Sequence, residues 1–501
     1  MIRNGKKKAI SCALVAAMSV GLVACGTTSY DFKVSYDGIK KGDVSSKVSV
    51  HDPSILKADG EYYIFGSHMS AAKSSDLLNW EKVADGYSKK NPVYGQIYDV
   101  ADEAFAYSGS KNSLIKTDDK QVHVWAPDVI YNETTGLYYM YYCTTSTWNA
   151  SNLCYGTSTT PEGPYEWQGA LIYSGFNRKT ISGTDVLDYV DEDYAYKNYI
   201  KGAQYNYEDY PNAIDPTVFY DADGRMWMVY GSWSGGIFLL EIDKTTGLVI
   251  HPEADKANNV DPYYGKRLLG GGHISIEGPY IMYVETSGYY YLFVSYGALT
   301  SNGGYQVRVF RSKTVDGEYV DMNGKYPEKS AQHQNYGLKL TGNYKLPSLE
   351  KAYMATGHNS AFVDDDGKMY LVYHTRFNDN GEGHSPRVHQ MLVNEDGWPC
   401  ELPYQTQGET VNKDGYDTDD IIGRYYVINQ GTAIDSKIAN PVILYLEKNG
   451  KVKGEKSEGT WECKDGSYYM NITIDGKKYS GVFCQMKDCL LYTSDAADDK
   501  A

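Results

Sequence analysis

Residues 214–232 read IDPTVFYDADGRMWMVYGS, and the fold can be inferred from this stretch outward. The polar motif IDP at 214–216 leads into an apolar strand, then the turn DADG at 221–224, then an aromatic strand that begins at Met226. Asp and Gly favour a β-hairpin turn because they tolerate the backbone angles that tight hairpins require. The stretch therefore predicts two antiparallel strands with a polar motif at the start of the first.

The same order of parts occurs four more times along the chain. The other units start at residues 51, 126, 277 and 357 with the motifs HDPS, APD, EGP and GHNS. A third apolar strand follows each strand pair, as in YQVRVF at 305–310. Four-stranded units repeated around an axis are the blades of a β-propeller, so we predict an all-β, five-bladed propeller over residues 48–408. The alternative is a β-sandwich with coincidental hairpins.

Three of the five motifs carry a carboxylate, at equivalent positions of their blades: Asp52, Asp215 and Glu277. In a propeller the starts of the first strands meet at the axis on one face, so we expect these groups to converge. Cleaving a glycosidic bond needs a protonated carboxyl for the leaving oxygen and an ionised one to activate water. A third carboxylate beside the acid would keep it protonated near neutral pH. Each Asp alone could instead bond to backbone amides in a turn.

Taken in order, the five motifs resemble those of glycoside hydrolase family 43, most closely its extracellular endo-α-1,5-L-arabinanases, over residues 48–405. Members of this family are five-bladed propellers that hydrolyse arabinan or related pentosans with inversion. The resemblance implies that Asp52 is the general base and Glu277 the general acid. Asp215 would raise the pKa of the acid and orient it.

The resemblance also implies a metal. The His that matches His358 helps to hold an axial, mostly water-coordinated Ca²⁺ in the arabinanases. Because Ca²⁺ prefers oxygen ligands, a buried His358 that bonds to backbone at the axis is the alternative.

Several side chains near the motifs are candidates for binding a sugar polymer, because aromatic rings offer an apolar face and a polar rim. The predicted substrate-binding residues are His51, Trp125, Asp128, Trp148, Asn212, Trp233 and Ser234, with Tyr280 as a further aromatic candidate. The sequence SGG at 234–236 leaves little side chain there, which would let a polymer lie close to the backbone.

The composition changes after about residue 408. Residues 409–420 are polar and charged, as in a linker, and residues 415–490 contain short alternating strands with turns at 448–450 and 475–476. They resemble the small C-terminal β-barrel domain of extracellular endo-arabinanases. We expect a packing or substrate-guiding role for it, with carbohydrate binding as an alternative. Residues 491–501 depart from this pattern and are typical of translated cloning or adapter sequence.

The N-terminus predicts export. Basic residues at 3 and 6–8 precede an apolar segment at 9–22, and LVAC at 22–25 resembles the lipobox of bacterial lipoproteins, whose Cys is acylated. We expect a lipoprotein signal peptide over residues 1–24, a flexible tether over 25–47, and a lipid-anchored protein on the outer side of a membrane. The alternative is an ordinary signal peptide with a chance Cys25.

The composition excludes other classes of protein. A formal net charge of −16 argues against nucleic-acid binding, which needs basic patches. The single long apolar run, at the N-terminus, excludes a multi-span membrane protein. Six cysteines besides Cys12 and Cys25 fit no zinc pattern, and their pairing stays open. We expect a monomer whose partner is arabinan or a related pentose polysaccharide, with membrane contact only through the lipid.

The leading hypothesis is thus an inverting, endo-acting arabinanase, and two other functions fit the same residues. An exo-acting α-L-arabinofuranosidase or a β-xylosidase would use the same three carboxylates, and the shape of the cleft would distinguish it. A non-catalytic surface glycan-binding lipoprotein would have no need of carboxylates at these three positions.

Overall fold

The computed structural model describes residues 14–18, 30–39, 41, 46–115, 123–327 and 333–486. Each of the five sequence units forms one antiparallel sheet, whose first strand carries or directly follows the polar motif. Blades I and II contain strands Ser54–Ala58, Glu61–Gly66, Ser70–Ser74 and Glu81–Ala84, then Val124–Asn132, Leu137–Thr145, Ser151–Ser158 and Glu166–Ser174.

Blade III contains Thr217–Tyr220, Met226–Tyr230, Ile237–Ile242 and Gly265–Leu269, with the short strands Val249–Ile250 and Val260–Asp261 beside them. Blade IV contains Ile276–Val284, Tyr289–Tyr296, Gln306–Ser312 and Leu338–Thr341. Blade V contains Tyr353–Val363, Met369–Phe377, Ser385–Val393 and Pro399–Glu401. The first strands contact one another in blade order, and that of blade V contacts that of blade I, so the ring is closed.

The second strands explain why the chain is rich in Tyr rather than Phe. Tyr141, Tyr230, Tyr291 and Tyr373 are fully buried in four different blades. Three of their hydroxyls donate to carbonyl oxygens, at 2.9 Å to Gly247, 2.8 Å to Tyr264 and 2.7 Å to Gly397. The fourth lies 3.1 Å from Nε2 of His389. Each ring thus fills the core, while its polar tip keeps a hydrogen-bond partner.

One residue of each first strand joins its blade to a neighbour near the axis, and we call these five residues the axial ring: Ser54, Asp128, Thr217, Tyr280 and Ser360. Asp128 accepts hydrogen bonds from the Ser54 hydroxyl and from the backbone N–H of Val218, at 2.6 Å for the latter. Thr217 donates to the carbonyl of Pro279 and Ser360 to that of Pro53, both at 2.7 Å. The Tyr280 hydroxyl is hydrogen-bonded to the backbone of Ala361. Every junction between blades therefore has a polar link.

The helices are short and lie in the connections between sheets. The α-helices span Gly95–Asp99, Ala101–Ala104, Val186–Tyr189, Glu192–Asn198 and Thr418–Ile421. The 3₁₀ turns span Ser67–Met69, Ile181–Gly183, Lys256–Asn258 and His333–Asn335. A small hairpin, Ile200–Lys201 with Gln204–Tyr205, completes the connection from blade II to blade III. Among the described residues, no helix is long and apolar enough to span a membrane.

The C-terminal domain is one antiparallel sheet of seven strands. Six of them are Gly423–Asn429, Val442–Leu446, Lys451–Gly454, Glu458–Cys463, Tyr469–Ile474 and Lys477–Val482. The seventh, Leu14–Met18, lies in the predicted signal peptide and pairs with Gly423–Asn429. Trp398 and Leu402 of the propeller and Tyr425 and Phe483 of this domain line a shared apolar pocket, so the two domains pack on each other.

Residues 30–39 belong to the segment predicted as a tether, and they lie against the C-terminal domain. The rings of Tyr30 and Phe32 contact Tyr445, with centroids 5.1 and 5.6 Å apart, and Arg424 donates to the carbonyl of Lys33 at 3.1 Å. Cys25, Cys489 and residues 491–501 lie outside the described residues. In the described part of the chain, the cysteines at 143, 154, 400, 463 and 484 form no disulfide.

Candidate active site

The chain enters each innermost strand through one residue with a left-handed backbone. These residues are Asp52 (φ 56°), Ala126 (φ 42°), Asp215 (φ 57°), Gly278 (φ 56°) and His358 (φ 48°). In four blades the next residue is Pro, and in the fifth it is Asn. Non-glycine residues in this region cost free energy, typically about 1 kcal/mol or more, and such strain is concentrated at functional sites. A fivefold repeat of this bend marks the axial end of the motifs as the candidate site.

Side chains at and just before this bend line a cleft of about 710 Å³ over the propeller axis. The cleft holds all three predicted catalytic carboxylates, Asp52, Asp215 and Glu277, together with His358. All five blades contribute lining residues, so the geometry of the site depends on the closed ring of strands. The predicted convergence of the motifs at one face is what the structure shows.

Three imidazoles and a hydroxyl surround Asp52. Its Oδ1 lies 3.2 Å from Nε2 of His51, 3.1 Å from Nδ1 of His358 and 3.6 Å from Nδ1 of His374. Its Oδ2 accepts a hydrogen bond from Ser67 at 2.5 Å. Burial would raise the pKa of Asp52, but the imidazoles and the hydroxyl outweigh it and hold the pKa well below its usual range. Asp52 is therefore suited to act as an ionised base.

Glu277 has the opposite tendency. Its Oε1 accepts a hydrogen bond from the Tyr305 hydroxyl and its Oε2 one from Nε1 of Trp233, both at 2.6 Å. Burial raises the pKa of Glu277, and the charge of Asp52 raises it further, whereas His358 and the two hydrogen bonds oppose the shift. The net effect keeps Glu277 protonated to a higher pH than an exposed Glu, as a proton donor requires.

Asp215 is tied to the backbone beside Glu277, because its Oδ2 accepts from the N–H of Gly278 at 3.0 Å. Burial raises the pKa of Asp215, and the charges of Glu277 and Asp52 add to the effect. The expectation that the three carboxylates occupy equivalent positions is wrong for Glu277, which lies one residue before the left-handed position. Gly278 takes that position, where a Cβ would lie 3.1 Å from the His358 ring.

Of the residues predicted to bind substrate, His51, Trp125, Trp148, Asn212 and Trp233 line the cleft. Trp148 is 71% exposed and has a left-handed backbone, with φ 63°. The Asn212 amide nitrogen donates to the carbonyl of Ser232 at 2.7 Å, while its side-chain oxygen has no hydrogen-bond partner among the described residues. Of these five residues Trp148 is exposed, His51, Trp125 and Trp233 are partly buried, and Asn212 is buried.

Three predicted substrate-binding residues lie outside the cleft. Asp128 and Tyr280 belong to the axial ring below it, and burial raises the pKa of Asp128 to about 7. Ser234 is fully buried, with its hydroxyl 3.4 Å from the side-chain oxygen of Asn149. The two glycines after Ser234 are required by backbone packing, because a Cβ at Gly235 or Gly236 would lie 2.2 Å from a neighbouring backbone atom.

The sequence interpretation missed Ser67, Tyr305 and His374, which all contact the carboxylates or their partners. One signal could have identified Ser67: the dipeptide Gly-Ser lies at or just after the end of the second strand in both blade I and blade III. The second Ser of this pair, Ser232, lies 3.3 Å from Oε2 of Glu277. Tyr305 and His374 carry no such signal, because only the folded chain brings them to the axis.

The sequence pattern described as "Glycosyl hydrolases family 43" matches residues 44–209 and 186–399, and that described as "C-terminal lipocalin-like domain" matches residues 403–493. The chain belongs to glycosyl hydrolase family 43. It is therefore a glycosidase, and the resemblance inferred from the five motifs is confirmed.

Relatives of known name cover most of the chain. The "Extracellular endo-alpha-(1->5)-L-arabinanase 2" of Bacillus subtilis is 37% identical over 89% of this chain and 89% of its own length. The "Extracellular endo-alpha-(1->5)-L-arabinanase" of Thermotoga petrophila is 40% identical over 85% of this chain and 84% of its own.

Solved structures agree with the fold. The crystal structure of the Thermotoga petrophila endo-1,5-α-L-arabinanase superposes with a TM-score of 0.73 at 37% identity, over 89% of this chain and 93% of that one. A family 43 glycoside hydrolase of Bacillus licheniformis gives a TM-score of 0.76 at 37% identity, over 90% and 94%. The predicted fold class, a five-bladed propeller followed by a small antiparallel β-barrel domain, is confirmed.

Proposed function

We propose that this family 43 enzyme hydrolyses internal α-1,5-L-arabinofuranosidic bonds of arabinan with inversion of configuration. One observation carries the proposal: Asp52 and Glu277 line the same cleft with pKa values displaced in opposite directions. Two carboxyls pushed apart in this way divide into an acid and a base. The names of the Bacillus subtilis and Thermotoga petrophila relatives support arabinan as the substrate.

In the proposed reaction Glu277 transfers its proton to the glycosidic oxygen as the bond from that oxygen to the anomeric carbon breaks. Asp52 accepts a proton from a water molecule, whose oxygen forms the new bond to the anomeric carbon from the opposite face. Asp215 holds the peptide after Glu277 through the N–H of Gly278 and disfavours ionisation of the acid. Hydrolysis leaves Asp52 protonated and Glu277 ionised, and a proton exchange with solvent restores both.

The size and lining of the cleft support the binding of sugar units. Its volume of about 710 Å³ lies within the roughly 300–1,000 Å³ of sites that enclose whole small-molecule ligands. Trp125, Trp148 and Trp233 offer rings, and His51 and Asn212 offer polar groups, for several sugar units.

We also propose that Ca²⁺ binds at the propeller axis beside His358. His358 lies among the three cleft carboxylates and lines both the cleft and a small axial cavity below it. That cavity is lined by oxygen-bearing side chains, and the amide of Asn359 within it is buried without a hydrogen-bond partner in the described part of the chain. Such donors suit a calcium ion, whose charge would offset the buried carboxylates.

Removal of bound Ca²⁺ tests this site. A chelator should lower the melting temperature of the enzyme, and added Ca²⁺ should restore it. His358→Ala should abolish the effect of both reagents. A melting temperature that ignores chelator and calcium in the wild type would contradict the metal site.

Export with lipid anchoring at Cys25 is a further part of the proposal, supported by the LVAC motif and by relatives named as extracellular. Cys25→Ser should move the protein from the membrane fraction to the soluble exported fraction. Unchanged membrane fractionation, with no lipid mass on the wild-type N-terminus, would contradict the anchor.

A time course on linear arabinan tests the function itself. Endo action predicts mixed oligosaccharides at the earliest time points, and inversion predicts that proton NMR first detects the β-anomer of the new reducing end. Arabinose alone as the early product would indicate the exo-acting alternative. Binding of arabinan without any product, in wild type as in Glu277→Gln, would indicate the glycan-binding alternative.

A further inference from the structure

Tyr305 connects the two carboxylates of the proposed reaction. Its hydroxyl donates to Oε1 of Glu277 at 2.6 Å. Its ring stacks on His374, with centroids 5.8 Å apart and planes 16° from parallel, and Nδ1 of His374 accepts from the N–H of Asp52 at 3.3 Å. Tyr305 is fully buried and does not line the cleft. It therefore contacts the acid from the protein side and the base through one intervening ring.

The two oxygens of Glu277 have different surroundings. Oε2 accepts from Nε1 of Trp233 and lies 3.3 Å from the Ser232 hydroxyl, and both of these residues line the cleft. Oε1 accepts from Tyr305, which does not line the cleft. Oε2 is therefore the oxygen on the side of the substrate. Transfer of its proton leaves a carboxylate, to which a Tyr hydroxyl donates a stronger hydrogen bond than to a neutral carboxyl.

We propose that Tyr305 is the positioning residue of the general acid, holding Glu277 with Oε2 toward the cleft and stabilising the carboxylate that forms as the proton leaves. The inference rests on the proposed role of Glu277. Asp52 of blade I and Asp215 of blade III oppose ionisation of Glu277, while His358 of blade V favours it. The hydrogen bond from the Tyr305 hydroxyl acts in the same direction as His358 and favours release of the proton from Glu277.

A glycine fixes the position of the Tyr305 ring. A Cβ at Gly357 would lie 2.3 and 2.4 Å from Cδ1 and Cε1 of that ring, closer than any real contact. The φ of Gly357 lies outside the left-handed region, so the backbone itself would accept Ala. Gly357→Ala therefore displaces Tyr305 without removing its hydroxyl, which provides a second and independent variant.

The test compares Tyr305→Phe with the wild type on two substrates. On arabinan, kcat should fall roughly tenfold to a hundredfold with KM little changed, since a charge-assisted hydrogen bond is lost in the transition state. The alkaline limb of the kcat/KM profile should move up by about one pH unit, because the bond that lowers the pKa of Glu277 is gone. On a nitrophenyl arabinoside, whose leaving group needs little protonation, the rate should change much less.

Two further variants complete the test. Gly357→Ala should reproduce the effects of Tyr305→Phe, and the double variant should lose little more than either single variant, because both act through one contact. Tyr373→Phe is the matched control. It removes a buried hydroxyl, 3.1 Å from His389, that does not contact Glu277, and it should leave the pH profile in place.

The outcomes separate the inference from the proposed function. Wild-type kcat and an unmoved alkaline limb in Tyr305→Phe, with Glu277→Gln inactive on arabinan, would overturn the inference alone. Equal proportional losses on both substrates would assign Tyr305 a merely structural role and overturn it too. If Tyr305→Phe does not fold, Gly357→Ala tests the same role by the same two measurements. Activity of Glu277→Gln on arabinan would instead overturn the proposed function.

Discussion

The cleft and the axial ring use the same five motifs, but they have different roles. In each motif, the residue of the axial ring follows the left-handed residue by two positions. Asp52 and Asp215 lie at the left-handed position and line the cleft. Asp128 lies two residues beyond that position in its own blade, where it joins blades I, II and III through Ser54 and Val218. The same motifs thus place Asp52 and Asp215 in the cleft and Asp128 between blades, according to the distance of each carboxylate from the bend.

The surroundings of the two kinds of carboxylate follow from that place. Asp52 has three imidazoles and one hydroxyl around it, which hold its pKa low in spite of burial. Asp128 accepts hydrogen bonds from Ser54 and from backbone amides, and burial raises its pKa to about 7. Substitutions in the cleft should therefore change rates, whereas substitutions in the axial ring should change stability.

The largest effect is expected for the acid and the base. Asp52→Ala should lower kcat on arabinan and on a nitrophenyl arabinoside alike, by about 10²-fold or more, because water activation is needed for both substrates. Glu277→Gln should damage arabinan cleavage as severely but spare much of the aryl substrate's rate. Melting curves should show both variants folded. Equal losses of Glu277→Gln on both substrates would refute the assignment of roles.

The next effect concerns stability. Asp128→Ala should lower the free energy of unfolding by about 2–4 kcal/mol, because a buried hydroxyl and the N–H of Val218 lose their acceptor. Denaturant titration measures the loss, and kcat of the folded enzyme should stay within a factor of about three. A stable variant with greatly reduced kcat would place Asp128 in the catalytic machinery and contradict the distinction between the cleft and the axial ring.

The pH dependence of the melting temperature of Asp128→Asn tests the same comparison. With a pKa raised to about 7, Asp128 contributes stability that is fully present below its ordinary pKa and is lost as the pH rises through about 7. Asn does not titrate, so wild type should lose melting temperature relative to the Asn variant between pH 5 and pH 8. A difference in melting temperature that is constant over this range would contradict the raised pKa.

A smaller effect is expected for Asp215. Removing its charge should let Glu277 ionise at lower pH, so Asp215→Asn should move the alkaline limb of kcat/KM down by about one pH unit. This is opposite in direction to the shift expected for Tyr305→Phe. Initial rates from pH 5 to 9 measure both variants side by side, and an upward shift in Asp215→Asn would contradict its proposed role.

The smallest effect is expected at the rim of the cleft. Trp148 is 71% exposed, so its ring can contact sugar without being needed for the fold. Trp148→Ala should raise KM for arabinan by a few-fold, since an aromatic contact contributes about 1 kcal/mol, with kcat and melting temperature unchanged. Tyr131, which is 42% exposed near the end of the first strand of blade II and does not line the cleft, is a suitable control residue, and Tyr131→Ala should leave KM as it is.

The blades could be predicted from the sequence, because hairpin turns, alternating strands and a fivefold order of parts are local patterns that survive without tertiary contacts. The meeting of three carboxylates could be predicted as well, since equivalent ends of propeller strands converge whatever the loops do. Asp52, Asp215 and Glu277 could thus be named from their motifs.

Which polar side chains face the cleft depends on the folded chain. In the sequence, Asp128 and Ser234 look like cleft residues, but both are buried in the structure. Asp128 lies between blades because it follows the bend by two residues, and Ser234 lies beside the tightly packed Gly235 and Gly236. Tyr305 lies just before the third strand of blade IV and reaches Glu277 of the same blade, whereas His374 of blade V reaches Asp52 of blade I only when the ring closes. Contacts between blades depend on distances across the axis, which no local pattern records, and they set both the hydrogen bonds and the pKa values of the site.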